Sequence, residues 1–146
     1  MTRLALGQEL ATEVEADAEF GWSIAMDADT LAVGARMEDG HDADEGVVDV
    51  FVRGGGGAEG GWTRQARLTA FDAQTVTGDA RFGDSIALEG DVMAVGAPYE
   101  DGAASNGGAA YMYRRDGDGE WRVQSQLTVA AGASGAHFGV SIGISG

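Results

Sequence analysis

The chain spells one pattern twice and opens it a third time. Phe20-Gly21-Trp22-Ser23-Ile24-Ala25 returns as Phe82-Gly83-Asp84-Ser85-Ile86-Ala87, then as Phe138-Gly139-Val140-Ser141-Ile142-Gly143. Leu31-Ala32-Val33-Gly34-Ala35 returns as Met93-Ala94-Val95-Gly96-Ala97. Phe20 to Phe82, Gly34 to Gly96 and Gly46 to Gly108 all lie 62 positions apart, and Trp62 and Leu68 return 59 positions on as Trp121 and Leu127. A fixed long period means a supersecondary unit that buries its faces against copies of itself. The step from Phe82 to Phe138 is six residues shorter, and the loss falls in two Gly- or Asp-rich stretches. Loops absorb length changes while the apolar segments keep their spacing.

Within one unit the pattern predicts four short strands. Phe20 to Asp27 is an apolar run that closes at Asp27-Ala28-Asp29, and its copy closes at Glu89-Gly90-Asp91. Leu31 to Ala35 is small and branched throughout, as expected of a strand covered on both faces. Gly46 to Arg53 and Gly108 to Arg114 are β-branched or aromatic, while Trp62 to Leu68 alternates and suits an outer strand with one wet face. No window carries a helical period. The expected fold is all-β, with four antiparallel strands per unit of roughly 60 residues, which is the anatomy of a β-propeller blade.

The units divide the chain into four parts. Residues 1–19 read as the outer strand of a preceding repeat (residues 4–11) and a linker, 20–81 as repeat 1, 82–137 as repeat 2 and 138–146 as the truncated start of repeat 3. Propellers close with about four to eight blades, and closure removes exposed strand edges. A fragment of a larger propeller, with further copies covering its ends, is therefore expected.

Phe-Gly opening the first strand and Gly-Ala-Pro closing the second resemble the FG-GAP repeat of integrin α propellers and of many bacterial and archaeal surface proteins. Phe82-Gly83 with Gly96-Ala97-Pro98 carries the signature in full; Phe20-Gly21 with Gly34-Ala35 has Arg36 in place of the proline; Phe138-Gly139 carries the opening only. The resemblance implies a blade scaffold located outside the cell or on its surface, engaging a protein or glycan partner through loops. It also implies a calcium loop between the first two strands. Here that place holds only Met26-Asp27-Ala28-Asp29-Thr30 and Leu88-Glu89-Gly90-Asp91-Val92. Calcium takes six to eight oxygens, so two carboxylates on a tight turn read as turn formers.

Another acidic stretch runs from Glu38 to Glu45, and its Asp39, Asp42, Asp44 and Glu45 are the calcium candidates of the sequence. The aligned loop, Tyr99 to Gly107, keeps only Glu100 and Asp101 near one end, which favours a solvated acidic loop without a cofactor. Asp116-Gly117-Asp118-Gly119-Glu120 opens like an EF-hand loop but lacks its later ligands, and reads as a hairpin.

The formal charge is −15, and all nine basic residues are arginine. Self-repulsion disfavours such a surface in dilute buffer and salt screens it, which suggests a salt-adapted source; a GC-rich genome also depletes lysine. Nucleic acid is not an expected partner, because phosphate binding needs clustered cations. Nor is membrane insertion, since no run has the roughly eighteen apolar residues of a spanning helix. Residues 1–19, with Glu9, Glu13, Glu15 and Asp17, are no signal peptide. There is no cysteine, hence neither disulfide nor thiolate chemistry.

Catalysis is not expected. His41 and His137 do not recur at equivalent positions; the slot before Phe-Gly holds Glu19, Arg81 and His137 and takes any side chain. Ser23, Ser85 and Ser141 recur, but nothing pairs them with a base and an acid, so they read as structural residues that bond backbone. Trp22, Trp62 and Trp121 read as packing anchors, and Phe20, Gly21, Phe82, Gly83, Phe138, Gly139, Gly34, Ala35, Gly96, Ala97 and Pro98 as blade-building residues. The functional expectation is a non-catalytic extracellular adhesion scaffold. An accessory propeller of a larger secreted enzyme and a surface-layer array are the alternatives.

Overall fold

The computed structural model describes residues 9–10, 13, 15–40, 43–54, 61–70, 79–102 and 104–146. They form eight strands: β1 (Phe20–Asp27), β2 (Thr30–Ala35), β3 (Val47–Arg53), β4 (Trp62–Thr69), β5 (Ser85–Glu89), β6 (Val92–Ala97), β7 (Ala109–Arg115) and β8 (Trp121–Thr128). They build two four-stranded antiparallel sheets, ordered β1-β2-β3-β4 and β5-β6-β7-β8, and no α-helix occurs among the described residues. These are two propeller-type blades, and the described residues do not by themselves close into a ring. The expected outer strand at residues 4–11 falls largely outside the described residues.

The repeat reaches into the register. Gly34 faces Val48 in the first sheet as Gly96 faces Ala110 in the second. Both outer pairings carry a bulge at the same aligned place, between Val50 and Phe51 and between Met112 and Tyr113. A bulge sharpens the local twist, so its recurrence gives both outer strands the same sweep. Phe138 to Gly146, aligned with a first strand, makes one parallel bridge, Gly108 with Phe138.

The main core lies between the sheets. Val48, Val50 and Leu68 of the first meet Phe82, Met93, Val95, Tyr111, Tyr113 and Trp121 of the second, with Ile86 and Leu88 packed at its margin. The Phe82 ring is fully buried and meets Tyr111 and Tyr113 edge-on at 5.5 and 6.1 Å. The aligned phenylalanines differ in cover: Phe20 sits beside a small cluster of Ala18, Ala35 and Val47, whereas Phe138 is 39% exposed. Trp22 does not pack in the core. It is 52% exposed with the Arg36 guanidinium 3.2 Å above its ring, because its position faces away from the second sheet.

Candidate functional site

The two sheets are joined where β1 and β5 begin. The Ser23 hydroxyl donates to the Gly83 carbonyl at 2.6 Å, and the Ser85 hydroxyl donates to the Gly139 carbonyl at 2.7 Å. A Cβ on Gly34 would stand 2.3 Å from that same Gly83 oxygen, and one on Gly96 only 1.9 Å from the Gly139 oxygen. The recurring serine and the recurring glycine therefore receive the Phe-Gly backbone of the next unit. The Phe82 N–H donates to the Glu45 carbonyl, and the Phe138 N–H to the Gly107 carbonyl. Both serine hydroxyls thus bond backbone oxygen of the following unit.

The slot before Phe-Gly is constrained in backbone, not in side chain. Glu19, Arg81 and His137 sit at φ 55°, 54° and 50°, and each is followed two residues on by a glycine at φ near 90°. Left-handed backbone at a non-glycine residue is uncommon, so tertiary packing imposes it three times. Nothing in residue type announces it.

The acidic loops, which join β2 to β3 and β6 to β7, are exposed at Asp39, Gly40, Asp101 and Gly102, but not throughout. Glu38, Glu45 and Glu100 are buried, because the loops fold inward over the junction. Glu38 and Glu100 stand 62 positions apart and occupy one place: each donates its N–H to the alanine that ends the strand, and each carbonyl accepts from the glycine that opens the next. Asp39 and Asp101 are likewise equivalent, with Oδ1 accepting the N–H of Asp44 and of Asn106. Of the calcium candidates, Asp39 and Asp44 are thus linked within one turn, Glu45 is buried and Asp42 lies outside the described residues. Among the described residues no three acidic or imidazole side chains converge as a metal set.

Around these equivalent glutamates the repeats differ. In the first, Arg67 donates to both oxygens of buried Asp49 at 2.9 and 2.8 Å and to Glu38 at 3.2 Å. The hydrogen bond to Asp49, foremost, holds the guanidinium above its ordinary pKa. In the second repeat Tyr111 stands at the place of Asp49 and Gln126 at that of Arg67. The Gln126 amide donates to the Tyr111 hydroxyl at 3.0 Å, and the hydroxyl bonds to Glu100. One Glu100 oxygen, Oε2, is buried without a hydrogen-bond partner among the described residues.

The opposite end of the sheets is also cross-linked. Asp29 with Arg53 and Asp91 with Arg115 form equivalent ion pairs at the β1–β2 and β5–β6 turns, with each arginine stacked near Trp62 or Trp121. Asp27 accepts the Gly90 N–H at 2.6 Å, and Arg115 donates to the Thr30 hydroxyl at 3.0 Å. Asp116 accepts from the N–H groups of Asp118 and Glu120, closing a hairpin, and Arg122 holds its carboxyl below the usual range. A shallow groove of about 630 Å³ runs between β4 and β8. Trp121 lines it but is buried, with its indole N–H on Gln65. His137 rests against the Pro98 carbonyl at 3.1 Å and the Tyr99 ring; His41 lies outside the described residues.

No described helix is long and apolar enough to cross a membrane. No curated protein matches the chain. The family model described as the FG-GAP repeat matches residues 10–51 and 62–113. The second match begins at the outer strand of one sheet and ends in the third strand of the next, so the sequence unit straddles two blades.

Proposed function

The chain belongs to the FG-GAP repeat family, and from that premise we propose that it is a non-catalytic binding scaffold working outside the cell or on its surface. One observation carries the proposal. The residues that recur, Ser23 and Ser85, Gly34 and Gly96, Asp29 and Asp91, are engaged in joining strands and sheets. What varies between the repeats is loop length and loop chemistry, which is where a rigid scaffold places recognition. The partner is a protein or glycan at the cell surface; the net charge of −15 disfavours polyanions.

Two measurements on the protein in its source cells test this. Protease added to intact cells should digest the repeat region while a cytoplasmic marker survives, and surfaces coated with the chain should retain those cells. Protection of the repeats equal to that of the marker would overturn the extracellular assignment. Hydrolytic turnover by the purified chain, lost on Ser85→Ala, would overturn the non-catalytic one.

A further inference from the structure

The large apolar side chains that stand exposed among the described residues are Trp22, Ile24 and Met26 on β1, Leu127 on β8, and Phe138 and Val140 after it. The repeat gives the strand residues counterparts that are covered. Ile86 and Leu88, 62 positions on from Ile24 and Met26, pack against the core between the sheets. Leu68, 59 positions before Leu127, is 4% exposed and belongs to that core. Leu127 lies opposite Ala110 as Leu68 lies opposite Val48, so it stands on the matching face of the second sheet. The two open faces are thus the two halves of a junction that the chain already forms once within itself.

We propose that the chain binds a second copy of itself head to tail, the β1 face of one copy packing on the far face of the other's second sheet. The contact repeats the internal junction between two chains and is heterologous, each copy offering a different surface. The polar pairs of the internal junction carry over in part. Trp121 donates its indole N–H to Gln65 at 3.1 Å, and the aligned pair, Trp62 on β4 and Gln124 on β8, stands at the two open ends. Arg36 donates to Asp84 at 3.0 Å, whereas the aligned places hold Pro98 and Trp22. An apolar pair there spares two chains, each of net charge −15, a further carboxylate in their contact.

The seat for the incoming β1 is held by a segment that shares its sequence. Phe138-Gly139-Val140-Ser141-Ile142 matches Phe20-Gly21-Trp22-Ser23-Ile24 at four of five places, and Ser85 donates to the Gly139 carbonyl as Ser23 does to Gly83. The incoming strand takes this place and residues 138–146 leave it. Among the described residues that segment is tied to the sheets by one bridge, with Phe138 and Val140 exposed. β1 arrives already paired along β2, with the rest of its sheet behind it, and covers more apolar surface.

Sedimentation equilibrium over a wide range of concentration, in dilute buffer and in molar potassium chloride, is the test. The mass of the parent chain should rise with concentration, and more steeply in high salt, which screens the repulsion between copies. Ile24→Asp and Leu127→Asp each place a carboxylate in one half of the contact and should weaken self-association by at least about tenfold. Both positions are exposed, so each variant should melt with the parent chain at low concentration. An equimolar mixture of the two variants should form a dimer and nothing larger, because each supplies the face that the other has lost. A parent chain that stays monomeric throughout would overturn the proposal. So would variants that associate like the parent, or a mixture that associates no better than either variant alone.

Discussion

At the scale of the residue, the aligned positions 49 and 111, 67 and 126, and 38 and 100 show one backbone place served by two chemistries. In the first repeat a buried carboxylate is compensated by a guanidinium; in the second a phenol and an amide take over and only the glutamate persists. Breaking a buried ion pair from one side leaves an uncompensated charge and costs about 3–5 kcal/mol. Arg67→Gln, which gives the first repeat the residue of the second, should lie toward the lower end of that range, because Arg64 also stands 3.7 Å from Asp49. Chemical denaturation at pH 7 measures it; a cost below about 0.5 kcal/mol would mean that the pair adds nothing. The ring of Phe82 belongs to the same scale. Fully buried between Tyr111 and Tyr113, it should cost about 3–5 kcal/mol on truncation to alanine. A mild effect would remove it from the core.

At the scale of the element, the strands were legible in the sequence and the junction chemistry was not. Leu31 to Ala35 and Met93 to Ala97 declare themselves as covered strands because burial on both faces demands small and branched side chains without interruption. The hairpin at Asp116 to Glu120 was equally plain, since turn residues there act on their own backbone. The acidic loops were legible only in part because composition reports charge, not direction: Asp39 and Asp101 are exposed and bond their own loops, whereas Glu38 and Glu100 turn inward. The 62-residue offset between Glu38 and Glu100 was the available signal for the buried site. Arg67 and Gln126 could be matched only through the 59-residue offset of the outer strand, and their unlike chemistry hid the match. The left-handed slot at Glu19, Arg81 and His137 left no trace in residue type.

At the scale of the whole molecule, the end of the stack shows what a blade expects. Ile86 and Leu88 pack against the core between the sheets, while their counterparts Ile24 and Met26 are 62% and 61% exposed. The same positions are covered only where a neighbouring blade stands. The surplus of carboxylates acts over the same dimensions. Screening it should raise the thermal midpoint between dilute buffer and molar potassium chloride. A midpoint flat over that range would leave the missing lysines as a matter of codon usage.

The central claim is that the recurring motif joins one blade to the next by backbone approach, and Gly34 tests it most directly. A methyl group there meets the Gly83 carbonyl oxygen at 2.3 Å, backbone that cannot swing aside, whereas one on Gly102 meets nothing within 4 Å. Thermal unfolding of Gly34→Ala beside Gly102→Ala is the measurement. The account predicts that Gly102→Ala melts with the parent chain and that Gly34→Ala melts at least about 8 °C lower or does not fold. Gly34→Ala melting with the parent chain would contradict it.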